Sequence, residues 1–302
     1  MDLLSEYKSY LENEDRSRTT IIGYTSDASQ LITWFESTNG EKFKLENFTP
    51  TDVREYRNHL QTVQGLKAST VNRKLASLAS LMSWGVESGR ISYDPTEKMK
   101  FVKKVRSSPK WLDKHEQFAL QRAIEKDLQI AQLRYPKRWT TRRRDASMVL
   151  FMLNTGLRLS ETISLNLDDL EISERKGRVL VRQGKGNKER VVPLNTEARE
   201  AIQEWLKVRP ESNCKRLWLA VEGGGDQGLT PRTVQRILKR YGQEAGIANL
   251  TPHVLRHSFA KNRIDKGVGV EQVAQLLGHE NLNTTQIYIQ PGYKDLEKAV
   301  ED

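Results

Sequence analysis

Apolar residues over the first hundred positions recur at helical spacing. Leu3, Leu4, Tyr7, Tyr10 and Leu11 make one stripe, and Ile22, Tyr24, Leu31, Ile32 and Phe35 mark a second helix from Thr19 to Phe35. A third helix begins near Thr51, behind Pro50 and with Asp52 in its first turn. A fourth, from Ser69 to Trp84, carries Val71, Leu75, Leu78, Leu81 and Met82 inward. The periodicity stops in FVKKVRSSPKWL, residues 101–112, which reads as a basic linker. Beyond it the pattern is mixed. A helix starts near Asp113, and the apolar run MVLFMLN stops at a Thr-Gly break. VLVRQ and RVVPL flank a glycine-rich turn as two strands of a hairpin. Helices follow over Thr196–Val208, Pro231–Ala245 and Val268–Leu277, the last closed by Gly278. The polar NLNTT stretch then starts a further helix. The pattern gives an all-helical domain over 1–103, a linker over 104–112 and a mixed domain over 113–302, with a tail from about residue 291.

Length and charge narrow the partner. A chain of 302 residues can bury a core in each of two domains. Its net charge of +10 and pI near 9.5 call for a polyanion, nucleic acid or an anionic membrane. No apolar run approaches the ~18 residues of a membrane span, and MDLLSEYKSY is too polar for a signal peptide. Nucleic acid is therefore the expected partner, with no membrane. Cys214 is the only cysteine, which excludes an internal disulfide and a cysteine-rich zinc site and fits a reducing, cytoplasmic setting.

Candidate chemistry gathers between residues 251 and 290. His253 and Arg256 lie three apart and share a helix face, His279 follows Gly278, and Tyr288 lies nine residues further on. Cations and imidazoles converging on a tyrosine suit attack of the phenol on a phosphodiester, with arginines neutralising the developing charge and imidazoles handling protons. Arg158 follows the Thr-Gly break, with Glu161 three residues on to orient it. Lys185, Lys188 and Arg190 all sit in the hairpin as cations able to reach DNA. His253 and His257 have helical metal-pair spacing but lack the glutamate of HExxH, so no metal site is expected. GGGDQG lacks the Lys-Ser/Thr of a phosphate loop and is not a nucleotide site. Ser69, Thr70, Asn72, Arg73 and Lys74 open the fourth helix, either as contacts to phosphates and base edges or as a capped, solvated helix start. Arg134, Lys137, Arg138, Arg142, Arg143 and Arg144, in the stretch 133–145, form either a phosphate contact or a solvated loop.

TGLRLSE, GKGNKERVVPL, PHVLRHSFA and LLGHENLNTTQIY follow one another over residues 155–288 in an order and spacing that resembles the tyrosine recombinases of the phage integrase family, most of all the small Xer-type enzymes. The resemblance implies a mainly α fold. An N-terminal helical, SAM-like core-DNA-binding domain and a C-terminal mixed α/β catalytic domain with a small antiparallel sheet would form a C-shaped clamp on DNA. It selects Lys185 from the three hairpin cations and implies Tyr288 as nucleophile; Tyr293 ranks lower because it follows Pro-Gly rather than ending the polar turn from His279. It implies a 3′-phosphotyrosyl intermediate without metal, ATP or other cofactor. Arg158 and Arg256 would bind the non-bridging oxygens, Lys185 protonate the leaving 5′-oxygen, His253 help take the tyrosine proton and His279 hydrogen-bond the phosphate. His257 reads as a packed histidine behind them. The implied partners are double-stranded DNA sites, three further copies in a tetramer on two sites, and a second recombinase or accessory protein. The tail would dock on a neighbouring protomer. The expected location is the cytoplasm, on the nucleoid. A type IB-like topoisomerase and a DNA-binding module with a decayed site are the rival readings, and the intact set of six residues argues against the second. Chromosome dimer resolution, phage integration and transposon movement all stay open. A lambda-like integrase is disfavoured because the helical domain starts almost at once, leaving no room for an arm-binding domain.

Overall fold

The computed structural model describes residues 2–103, 109–182, 189–222, 227–279, 283–288 and 300. The chain divides into two compact units, Met1–Ser107 and Ser108–Asp302. Part of the expected linker (104–108), Lys185 with its Gly-rich turn, most of GGGDQG and nearly all of the expected tail lie outside the described residues.

The first unit is a set of helices: α1 (Leu3–Asn13), α2 (Arg18–Asn39), α3 (Pro50–Asn58, running into a wider turn over His59–Val63) and α4 (Ala68–Glu87). Local chemistry sets their ends. Ser17 accepts from the Thr20 N–H at the start of α2, and Thr49 and Asp52 form a reciprocal capping box with Pro50 at the first helical position of α3. The predicted stripes meet in one core containing Tyr7, Leu11, Leu31, Phe35, Leu75 and Leu81.

A buried carboxylate, Asp27, lies among these apolar groups at 4% exposure. It accepts from Lys74 Nζ at 3.2 Å and from Arg73 Nη2 at 3.0 Å, and Lys74 also donates to Gln30 at 2.7 Å. Burying one charge is costly unless its partners come with it. Lys74 is buried for that reason. Asn72 is spent too: it donates to the Val102 carbonyl at 2.9 Å and accepts from the Val102 N–H at 2.8 Å. The expectation that five residues at the start of α4 contact DNA is corrected for these two, which hold the unit together. Ser69 is exposed and Thr70 half-buried; Arg73 meets Asp27 with both terminal nitrogens yet keeps a 49% exposed side chain.

In the second unit α5 (Lys114–Arg134) starts at the Asp113 cap and is followed by α6 (Trp139–Thr155) and α7 (Leu159–Ser164). A three-stranded antiparallel sheet comes next: β1 (Leu170–Ile172), β2 (Gly177–Val181) and β3 (Arg190–Pro193), in the order β1-β2-β3. Val181 pairs with Arg190 at the mouth of the hairpin, as the two predicted strands require. β1 is an addition, too short to stand out in the sequence. The remaining helices are α8 (Thr196–Leu206), α9 (Pro231–Glu244), α10 (Pro252–Asp265), α11 (Val270–Leu277) and α12 (Asn283–Gln286).

The basic stretch 133–145 resolves into a helix end, a turn and the first two turns of α6. Three of its arginines serve the interior of the unit. Arg144, 4% exposed, donates to Asp145 and to the Leu219 carbonyl at 2.7 Å. Arg142 lies 3.4 Å from Asp127 of α5, and Arg143 3.8 Å from Glu204 of α8. The phosphate-contact reading therefore keeps only Arg134, Lys137 and Arg138, which are exposed.

Candidate active site

Two helix C-termini carry the candidate site. α6 ends at Gly156 (φ +64°) and α11 at Gly278 (φ +67°), both in the left-handed region where glycine avoids the steric penalty of a side chain. The last carbonyls of a helix lack intrahelical partners and carry the negative end of its dipole, so they attract guanidinium groups. Arg256, on α10, donates to the carbonyls of Gly156 and Leu277, each at 2.8 Å. Arg158 donates to the Gly278 carbonyl at 2.9 Å. One arginine thus ties the two helix ends together and the other grips the second end.

Glu161 fixes Arg158 from behind. Its carboxylate accepts from Arg158 Nη1 at 2.8 Å and from the Arg158 backbone N–H at 2.8 Å. Arg190 of β3 supplies a second guanidinium, with Nη1 and Nη2 at 2.9 and 2.8 Å from the two oxygens. Burial alone would raise Glu161, but the hydrogen bonds from Arg190 and Arg158 outweigh it and hold the carboxyl down at about 2. Arg256, 5% exposed, is lowered to about 10 by burial and by the Arg158 charge, and stays a cation at neutral pH.

The tyrosine lies against this frame. Tyr288 is 1% exposed and packs with Phe259, Val273 and Leu277. Its hydroxyl is 2.5 Å from His257 Nδ1, and it donates there when the ring proton is on Nε2. Burial raises the phenol and the Arg256 charge lowers it, with a net rise. His257 is pushed down to about 4, first by burial and then by the charges of His253 and Arg256. His279 reaches about 4 through burial and the charges of Arg256 and Arg158, and its Nδ1 is 2.8 Å from the Thr285 hydroxyl. Both rings are neutral at pH 7. His253 is exposed. With Arg158, Arg256, Gln235 and Lys239 it lines a cavity of about 650 Å³.

The geometry thus brings together Arg158, Glu161, Arg256, His279 and Tyr288, with His253 on the adjoining cavity wall. Lys185 falls outside the described residues. Sequence reasoning missed three contributors. His257, read as a packed histidine, is the hydrogen-bond partner of Tyr288. Arg190, weighed as a rival to Lys185, is the second partner of Glu161. Thr285 orients His279. The four-residue step from His253 to His257 was a visible signal, but which ring meets the tyrosine depends on how the chain beyond α11 folds back.

Residues 122–294 match the phage integrase family, and residues 4–89 match the phage integrase N-terminal SAM-like domain. The chain belongs to the phage integrase family. It is a tyrosine recombinase of Xer-like kind, an enzyme that cleaves and rejoins DNA. The tyrosine recombinase XerA of Pyrococcus horikoshii is 32% identical over 99% of this chain and 93% of its own length. The TnP I resolvase of Bacillus thuringiensis is 28% identical over all of this chain and 99% of that protein. In fold, the recombinase is similar to XerH site-specific recombinase bound to palindromic difH substrate in a post-cleavage complex, with a TM-score of 0.76 at 23% identity over 97% of this chain and 84% of that one. Those relatives favour recombination over the topoisomerase reading. Among the described residues no helix of the recombinase is long and apolar enough to cross a membrane.

Proposed function

We propose that this recombinase joins two double-stranded DNA sites by a two-step phosphoryl transfer with Tyr288 as nucleophile, acting as a tetramer on the nucleoid in the cytoplasm. The observation that carries the reading is the Tyr288 hydroxyl held by a neutral His257 beside the buried Arg256. A neutral imidazole can accept the phenolic proton, which a cation cannot.

In the first step the Tyr288 oxygen bonds to the scissile phosphorus and the bond to the 5′-oxygen breaks. The tyrosine proton passes to His257, taking over the part expected of His253, and the leaving oxygen takes a proton from Lys185. Arg158 and Arg256 neutralise the non-bridging oxygens, with His253 beside them on the cavity wall. With the Thr285 hydroxyl donating to His279 Nδ1, His279 Nε2–H is left to donate to the phosphate. Tyr288 is 1% exposed, so the proton passes to His257 in this packed position and the 283–288 segment then shifts toward the cavity for attack. In the second step a 5′-hydroxyl of the other DNA attacks the phosphotyrosine and the proton flow reverses. The covalent link conserves the bond energy through both steps. Ser69, Thr70 and Arg73 at the start of α4, and Arg134, Lys137 and Arg138 in the second unit, are proposed phosphate contacts.

Tyr288→Phe removes one oxygen from a packed ring. DNA binding is expected to persist, and the denaturant-stable protein–DNA complex to disappear. A Phe variant that still forms that complex would exclude Tyr288 as nucleophile.

A further inference from the structure

Arg190 opens β3, directly after the hairpin turn, and does not line the cavity. Its guanidinium nevertheless joins three parts of the site. Both terminal nitrogens meet the two oxygens of Glu161, and Nε donates to the Leu276 carbonyl at 3.2 Å. Its plane lies against Gly278: a Cβ there would stand 2.8 Å from Nη1. The Glu161 side chain, 1% exposed, therefore sits between two cations. One, Arg158, faces the cavity with a 29% exposed side chain; the other, Arg190, is withdrawn at 13%.

The charges decide what this arrangement does. Arg158 and Glu161 alone would be a neutral pair, and a phosphate approaching Arg158 would meet a guanidinium whose field is largely cancelled by a carboxylate 2.8 Å away. Glu161 is buried, so little solvent screens it from Arg158 and its opposing field reaches the cavity. Arg190 restores one positive charge without occupying the cavity. It offers Glu161 a bidentate partner, the strongest geometry available to a carboxylate. Among the influences on Glu161, burial comes first and pushes it up; the Arg190 hydrogen bond comes next and pulls it down, ahead of those from Arg158.

We infer that Arg190 is a positioning residue that takes up the charge of Glu161, so that Arg158 meets the scissile phosphate as a net cation with its fork fixed. The inference rests on the recombinase reading for the identity of the phosphate. It also gives a reason for the strand after the hairpin to start with arginine: the same residue anchors the hairpin to the end of α11.

The test compares the full-length wild type with Arg190→Gln, Arg190→Lys and the double variant Glu161→Gln/Arg190→Gln. One readout is titration of the free protein with inorganic phosphate at low salt, followed through the Nε–H resonances of Arg158 and Arg256. The other is the rate of covalent complex formation on DNA. Arg190→Gln is expected to weaken phosphate about tenfold or more, an energy equal to one pKa unit. Removing the carboxylate, which without Arg190 is paired to Arg158 alone, is expected in the double variant to restore affinity to within about threefold of wild type, and Arg190→Lys, which keeps the charge, to stay within the same range. A purely architectural role predicts otherwise, because neither Gln beside Gln nor lysine rebuilds the fork. A double variant as weak as Arg190→Gln, or a lysine variant as weak, overturns the inference; so does a wild type whose arginine resonances ignore phosphate. If Arg190→Gln does not melt cooperatively, the double and lysine variants against wild type carry the same decision. A wild type that binds phosphate yet forms no covalent complex with any DNA refutes the recombinase reading instead, and the phosphate comparison still judges Arg190.

Discussion

At the scale of single residues, the site depends on keeping histidines neutral beside arginines kept charged. His257 is held at about 4 by burial and by neighbouring positive charge. Its proton-accepting form therefore persists well below the ordinary histidine range. Cleavage is predicted to stay level from about pH 7 to about pH 5 and to fall as His257 charges near 4, whereas an ordinary histidine would centre the fall near about 6.5. A single-turnover pH profile checks this, and a midpoint near the ordinary value would remove His257 from the proton path. Stability has the same sign. As pH drops from the unfolded histidine value toward about 4, the unfolded chain binds protons that folded His257 and His279 refuse, so the native state loses stability over that window. The residue types of the site were legible because Arg158, Arg256, His279 and Tyr288 sit in compact motifs. Pairings were not. Lys74 meets Asp27 and Arg190 meets Glu161 across 47 and 29 positions, and no local pattern encodes such a distance.

At the scale of elements, the helix ends matter more than the helices. Gly156 turns the chain out of α6 so that Arg158 points at the end of α11, and a Cβ at Gly156 would lie 2.4 Å from Phe259 Cδ1. Gly246 has a similar φ of +69° with nothing within 4 Å. Gly156→Ala is predicted to cost at least about 1 kcal/mol more than Gly246→Ala, because overpacking adds to the shared backbone penalty. Denaturant melts of the two variants measure the difference, and equal losses would mean that the Phe259 ring yields freely. Element positions were read well where apolar periodicity was strong, as in α1, α4 and α11. α6 was read only over its apolar run. Its first turns are arginine-rich; arginine is itself a good helix former, and Asp127 of α5 and Glu204 of α8 lie beside those charges.

At the scale of the whole molecule, the groups of the candidate site among the described residues all belong to one unit. Arg158, Glu161, Arg190, Arg256, His257, His279 and Tyr288 lie within Ser108–Asp302, which has its own core. The isolated second unit is predicted to melt cooperatively and still form a covalent complex with DNA. Its affinity should be at least about tenfold weaker, because it would lack the phosphate contacts proposed for the first unit. Gel shift and adduct formation on the same DNA check this, and an isolated unit that folds but never cleaves would place an essential group in the first. The charge of +10 pointed only to a polyanion, and the lack of a long apolar run narrowed it to nucleic acid; the periodicity and the resemblance already implied two domains, and the structure divides the chain into units at Ser107 and Ser108.

Mapping the covalent bond shows whether Tyr288 carries the DNA strand. The protein is incubated with DNA containing its site, the complex is trapped in denaturant, digested with protease and nuclease, and the modified peptide is sequenced by mass spectrometry. The expected product is a nucleotide joined through its 3′-phosphate to Tyr288, with a free 5′-hydroxyl on the other DNA end. Attachment to Tyr293, or a 5′-phosphate link at any residue, would contradict it.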